Sequence, residues 1–179
     1  MSAKEARYIL GLGGNLGDRA RHVALALEGL SRLPGTEVLG VSEAYETDPV
    51  GYADQPQFLN VCAALASTLD PESLLTETMK MEHAAGRVRS GPRDGPRTLD
   101  IDLLLWREGA WSSPRLEIPH PRWKSRGFVV FPLRDLLERD FIVKDPRWDS
   151  LRAEAARLTT DRAGLRAWQG PTPWIKKTG

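Results

Sequence analysis

Residues 98–106 read TLDIDLLLW. A run this apolar belongs in a core, yet it carries Asp100 and Asp102 two positions apart. Strand side chains alternate between faces, so both carboxylates would project on one side, roughly 6.5–7 Å apart along the chain. Ile101, Leu103 and Leu105 would project on the other. Two neighbouring carboxylates in an apolar strand repel, and something cationic has to relieve them. Mg²⁺ suits such a pair, because it takes one or two carboxylates and fills its octahedron with water and phosphate oxygens. A solvated strand end paired with arginines is the plainer alternative.

The cations are close by in sequence. Residues 87–97 read RVRSGPRDGPR and bring Arg87, Arg89, Arg93 and Arg97, the last only three positions before Asp100. Arg115, His120, Arg122, Lys124 and Arg126 form a second basic group. The formal net charge is +1, so the basic groups point to a compact anion rather than a long nucleic acid. A guanidinium chelates phosphate oxygens in a planar fork. Carboxylates for a divalent cation beside arginines for phosphate are the equipment of phosphoryl transfer. The glycines and prolines of SGPRDGPR suit a mobile loop, as a lid requires.

GLGGNLGDR, residues 11–19, invites a different phosphate assignment, which the spacing rejects. A dinucleotide fingerprint needs glycine at its sixth position, where this chain has Leu16; a P-loop needs Gly-Lys-Ser/Thr, and here Asp18 follows Gly17. A strand-to-helix turn, with Asn15 or Gly17 at positive φ, is the simpler reading. Cys62 stands alone, so no internal disulfide or cysteine metal cluster is available, and a reducing, cytoplasmic setting is expected. His22 and His83 fall on expected helices, and no zinc spacing or nucleophile–base set can be assembled. The N-terminal stretch lacks a secretory pattern and no apolar run is long enough to span a bilayer.

The periodicities give an order. YILGLG reads as a buried strand, followed by a helix with Leu16, Ala20, Val23, Leu27 and Leu30 on one face, stopped at Pro34-Gly35. TEVLGVSEAY reads as one strand and ETDPVGYADQP as a long loop. FLNVCAALAST has strand alternation, with Phe58, Asn60 and Cys62 opposite Leu59, Val61, Ala63 and Leu65, but its alanines leave a helix open. Asp70-Pro71-Glu72 starts a second helix, ending near Gly86. TLDIDLLLW closes a β-α-β-β-α-β core. Short strands are expected in 110–118, a late helix with Trp148, Leu151, Ala155 and Leu158, and an irregular tail. This is an α+β class, expected as a ferredoxin-like sandwich with a mostly antiparallel sheet and helices on one face. One domain is expected over 1–179, with a core of about 7–144 and an extension of about 145–179. On these residues alone a phosphoryl-transfer enzyme, an RNA-binding sheet module and a two-metal hydrolase stay open.

GLGGNLGD, DQPQFLN, GRVR with GPRTLDIDLLL, and IPHPRWKSRGFVVFPL together resemble the 6-hydroxymethyl-7,8-dihydropterin pyrophosphokinase family. The resemblance runs from about Tyr8 to Leu137, with the motifs in the same order. It implies transfer of pyrophosphate from ATP to the pterin hydroxymethyl group, with release of AMP. It implies two Mg²⁺ ions on Asp100 and Asp102, with ATP and the pterin as partners, and neither nucleic acid nor membrane. Arg87 and Arg97 would join the aspartates in catalysis. Arg89, Arg115, His120 and Arg126 would serve ATP, with Leu75, Glu82 and Leu103 near the adenine. Thr47, Pro49, Val50, Phe58, Asn60 and Phe128 would frame the pterin. The chain departs from the family pattern at Gly14, Met79, Asp94, Glu117 and Pro121.

Overall fold

The computed structural model describes residues 6–174 except 89, 93, 144, 160, 161 and 163, with the side chains of 141 and 143 also left aside. Strand β1 (Tyr8–Gly14) leads into helix α1 (Arg19–Ser31), then strands β2 (Thr36–Val41), β3 (Tyr45–Thr47) and β4 (Phe58–Ser67). Helix α2 (Pro71–Ala84) precedes β5 (Asp100–Trp106) and a small hairpin of β6 (Trp111–Ser112) and β7 (Glu117–Ile118). Helices α3 (Gly127–Leu137), α4 (Asp140–Val143) and α5 (Asp149–Arg157) follow, and strand β8 (Leu165–Ala167) ends the ordered elements. The main sheet runs β5-β1-β4-β3-β8, with β2 also beside β4, and every pairing is antiparallel.

Local chemistry sets the boundaries. Asp18 caps α1 by accepting from the Arg21 amide, and Asp70 caps α2 by accepting from Glu72 and Ser73, with Pro71 at the first helical position. The glycine segment turns into α1 at Gly17, whose φ is +67°. FLNVCAALAS is a strand, and its ambiguity has a cause: β4 is covered on both faces, so apolar residues fill both alternations. Leu59, Val61, Ala63 and Leu65 join a core with α1 and α2, while Cys62 and Ala64 join a second core beneath α3 and α5. Each large aliphatic side chain in either core adds about 1.5–3 kcal/mol by burial.

Three expectations are corrected. Helices cover both faces of the sheet rather than one, because VVFPLRDLL forms the apolar helix α3 and packs on the face away from α1 and α2. TEVLGVSEAY is two strands: the register shifts between Val38 and Gly40, and the Ser42 hydroxyl takes the Cys62 amide at 2.9 Å. Leu105 does not share a face with Ile101 and Leu103. A bulge opposite Ile9 and Leu10 inserts Leu104, so Leu104 and Leu105 both pack under α3. Residues 165–167, for which no element was expected, form β8, which pairs with β3.

β1 occupies the middle of the sheet, and Gly14 lies against the arginine-bearing loop. A Cβ there would sit 2.2 Å from the Thr98 carbonyl oxygen, which is backbone and cannot rotate away. At Gly11 the nearest atom is the flexible end of Leu104, at 3.3 Å. Gly14→Ala is therefore expected to lose about 2 kcal/mol of unfolding free energy, and Gly11→Ala under about 1 kcal/mol. Urea titrations of the two variants check this; equal midpoints would contradict it.

Candidate active site

The register of β1 builds a cleft. Gly11 lies directly between Cys62 and Asp102, and Gly13 between Asn60 and Asp100. Directly opposed residues in antiparallel strands share a face. Asp100, Asp102, Asn60 and Cys62 therefore look out on one side, across two positions that have no side chain. Phe58, two residues before Asn60, joins them, and Phe128 and Val129 from the start of α3 close the far wall. A Cβ on Gly13 would fall 2.5 Å from the Asn60 amide oxygen.

A second cavity continues from this trough and shares Phe58, Asn60, Arg97 and Phe128 with it. Thr47 and Val50 complete it on the side of the loop after β3. Asn60 donates to the Thr47 hydroxyl at 2.8 Å, which fixes the orientation of its amide. Arg97 lies over the Phe58 ring at 4.8 Å, and Arg126 over the Phe128 ring at 5.4 Å. Of the six residues expected to frame a pterin, five line this cavity; Pro49 does not.

Electrostatics ties the cleft to α2. Asp100 accepts from Arg87 at 2.5 Å and pairs with Arg97 at 3.0 Å. Arg87 also pairs with Glu82, which is 3% exposed and accepts from the Ile101 amide at 2.8 Å. Glu82 thus anchors the aspartate strand to α2. Asp102 has a looser cation, Arg126 at 3.8 Å. Burial, then repulsion from Asp100, pushes its carboxyl up to about 7. His120 is held below its ordinary value by burial, helped by Arg126 and Arg122, so it is neutral at pH 7. Its Nδ1 accepts from the Arg122 amide at 3.1 Å.

The remaining sites expected from sequence are dispersed. Arg115 lies on the outer face of α2, 3.3 Å from Glu72 and 3.7 Å from the Met79 sulfur. Leu103 is 2% exposed, and Leu75 is half-buried against the same core, so both support the wall from within. Arg89 lies outside the described residues. Three cavity-lining residues were not expected: Asp48, Asp94 and Arg122. Arg122 sits in the basic PHPRWKSRGF segment and Asp48 adjoins Thr47, so proximity in sequence was the available signal. Asp94 stands out in the structure instead: its φ is +59°, unusual for a residue with a side chain.

The profile of the 7,8-dihydro-6-hydroxymethylpterin-pyrophosphokinase family matches residues 9–138. The 2-amino-4-hydroxy-6-hydroxymethyldihydropteridine pyrophosphokinase of Bacillus subtilis is 38% identical over 160 residues, 89% of this chain and 89% of that protein. The enzyme of the same name from Pseudomonas aeruginosa is 45% identical over 130 residues, 73% of this chain and 80% of that protein. A Plasmodium falciparum HPPK-DHPS structure superposes with a TM-score of 0.58 and 14% identity, over 93% of this chain and 47% of its own. This chain spans about half of that structure's length, and the likeness concerns the fold.

The raised Asp102 carboxyl has a consequence for stability. The folded protein keeps the proton to a higher pH than the unfolded chain does. Stability from this group is complete below the ordinary carboxylate range and lost as pH rises through about 7. Asp102→Asn abolishes that loss. Without divalent cations, the melting temperature of the variant relative to the parent is expected to climb between pH 5 and pH 8. Parallel pH profiles would contradict the environment described for Asp102.

Proposed function

This chain belongs to the 7,8-dihydro-6-hydroxymethylpterin-pyrophosphokinase family, and from that premise we propose how its own residues carry the reaction. The enzyme is a pyrophosphokinase: it transfers pyrophosphate from ATP to the hydroxymethyl oxygen of 6-hydroxymethyl-7,8-dihydropterin, a step of folate biosynthesis. One observation carries the assignment of roles. The aspartate cleft and the aromatic cavity are continuous across the glycine floor of β1, so an anionic group and a flat heterocycle can meet there.

The cavity lined by Phe58, Asn60, Phe128, Thr47 and Val50 takes the pterin. Rings on its walls suit a planar heterocycle, and a fixed amide suits its hydrogen-bonding edge. Pro49 shapes the adjoining loop. Arg87, Arg97 and Arg126 face the phosphates. Arg87 and Arg97 pair with Asp100, and they change partner when triphosphate arrives. The exchange keeps charge balanced in a poorly solvated place, where an unpaired charge is costly. Arg89, Arg115 and His120 serve the nucleotide, with Leu75, Glu82 and Leu103 behind the adenine.

Asp100 and Asp102 fit a hard divalent cation. They are oxygen donors on one face, and burial, then the repulsion between them, raises the Asp102 carboxyl. Among the described residues no cluster of three or more His, Cys, Asp or Glu side chains offers a fuller set. We assign two Mg²⁺ ions to this pair, whose carboxylate oxygens would hold them. When bound they would offset the phosphate charge and orient the triphosphate. The hydroxymethyl oxygen attacks the β-phosphorus, the bond to the α-phosphate oxygen breaks, and AMP leaves. Arginine and carboxylate positioning supplies the acceleration. The strand order β5-β1-β4-β2 supports reading the core as ferredoxin-like. The lone buried thiol of Cys62 is consistent with a cytoplasmic enzyme.

Incubation with ATP, Mg²⁺ and the hydroxymethyl pterin, followed by chromatography, should yield AMP and no ADP. Asp100→Ala and Asp102→Ala are each expected to lower kcat by about 10³-fold or more while retaining a cooperative melt. Turnover near the parent rate in both would overturn the metal assignment. Phe128→Ala is expected to raise the pterin KM by about tenfold with little change in the ATP KM. Equal effects on both would place the pterin elsewhere.

A further inference from the structure

The family match ends at residue 138, yet β8 lies beside the pterin side of the site. It pairs with β3 in the register Thr47–Leu165, Glu46–Arg166 and Tyr45–Ala167. The pairing extends past β3 into the loop: the Asp48 amide donates to the Gly164 carbonyl at 2.9 Å. Asp48 and Thr47 both line the cavity assigned to the pterin.

The side chains repeat this connection. Arg166 donates to the Asp48 carboxylate at 3.0 Å and lies 3.8 Å from Glu46. Glu46 pairs on its other oxygen with Arg19 at 2.8 Å, and Arg19 also donates to the Gln57 carbonyl. Gln57 in turn donates to Asp48 at 3.0 Å. Asp48 and Gln57 are the two ends of the segment that joins β3 to β4. Its neck is therefore closed by one side-chain bond, and both ends are tied to neighbours that β8 helps to hold.

We propose that β8 positions the pterin-binding wall, through Arg166 on the Asp48 carboxylate and Gly164 on the Asp48 backbone. Arg166 is a positioning residue, since it does not line the cavity itself and acts through Asp48, which does. The alternative is a strand that only completes the sheet edge. Two features favour positioning. The contacts concentrate on Asp48, where the strand gives way to the cavity. Gly164 is also shaped for this neighbour: its φ is +69°, and a Cβ would fall 2.4 Å from an Asp48 carboxylate oxygen. A sheet edge alone needs neither.

The inference rests on placing the pterin in the Thr47–Phe128 cavity, so its test separates the two. Arg166→Ala, Arg166→Lys and Gly164→Ala are compared with Phe128→Ala in steady-state kinetics, alongside thermal melts. Arg166→Ala and Gly164→Ala are expected to raise the pterin KM about fivefold, with the ATP KM and kcat within about twofold. Arg166→Lys should recover most of the loss, because an ammonium can still reach Asp48. An unchanged pterin KM in both variants would overturn the positioning role. So would a joint shift of both KM values and kcat together with a large fall in melting temperature. If Phe128→Ala raises the pterin KM and the β8 variants do not, only the role of β8 falls. If Phe128→Ala has no effect, the cavity assignment falls and the role of β8 with it.

Discussion

Two absent side chains in the middle of the sheet govern the site. β1 is hydrogen-bonded on both sides, so its residues from Tyr8 to Gly13 each face a partner on β4 and another on β5. At Gly11 and Gly13 those partners are Cys62 with Asp102, and Asn60 with Asp100. A larger residue at Gly13 would press on the Asn60 amide oxygen and fill the ground between the carboxylates and the aromatic cavity. The same strand then carries Gly14 against the Thr98 carbonyl, bringing the arginine loop to the cleft's edge. The glycines let two sets of side chains face each other over bare backbone.

That geometry creates an electrostatic demand, which the chain meets with a connected network. Glu82, Arg87, Asp100 and Arg97 form a chain of alternating charge reaching from α2 to the arginine loop. A half-buried ion pair contributes little net stability, because desolvation offsets most of the attraction. Its value here is order. Glu82 fixes the backbone at Ile101, and with it the direction in which both aspartates point. Asp102 lies beyond the tight part of the network, with Arg126 at 3.8 Å. One carboxylate is held and neutralised, and its neighbour is left with a raised affinity for protons. The pair differs by environment although it is identical in chemistry.

Much of this was legible in sequence for a physical reason. The capped start at Asp70-Pro71, the alternation through Asp100 and Asp102, and the helical spacing after Gly17 are short-range patterns. They report on their own backbone. The features that escaped reading depend on distant partners. The Leu104 bulge is set by the match of β5 to β1, and the break at Ser42 by a hydroxyl that replaces a ladder bond to Cys62. The side of the sheet taken by α3 cannot be inferred from its own apolar stripe. β8 is three residues long and its facing partner, β3, is more than a hundred residues earlier. Asp48 and Arg122 enter the cavity for the same reason: their neighbours there come from other segments.

Asn15 shows how the glycine motif extends its influence past the floor of the cleft. It is 3% exposed and bonded to both loops that border the site. Its amide nitrogen donates to the Gln55 side chain and the Pro56 carbonyl, at 2.9 and 2.8 Å, and its amide oxygen accepts from the Arg97 backbone at 2.9 Å. Gln55 then donates to the carbonyl of Asp94, at 2.8 Å, inside the arginine loop. Those contacts help fix Asp94 in a left-handed conformation that a residue with a side chain adopts only under constraint. Neither loop can withdraw from Asn15 without leaving a buried amide group unpaired, which is costly. The segment that walls the aromatic cavity and the segment that carries Arg87 and Arg97 therefore share one anchor. A displacement of one loop therefore strains the bonds that hold the other, and the glycine turn couples the two borders of the cleft through one buried amide.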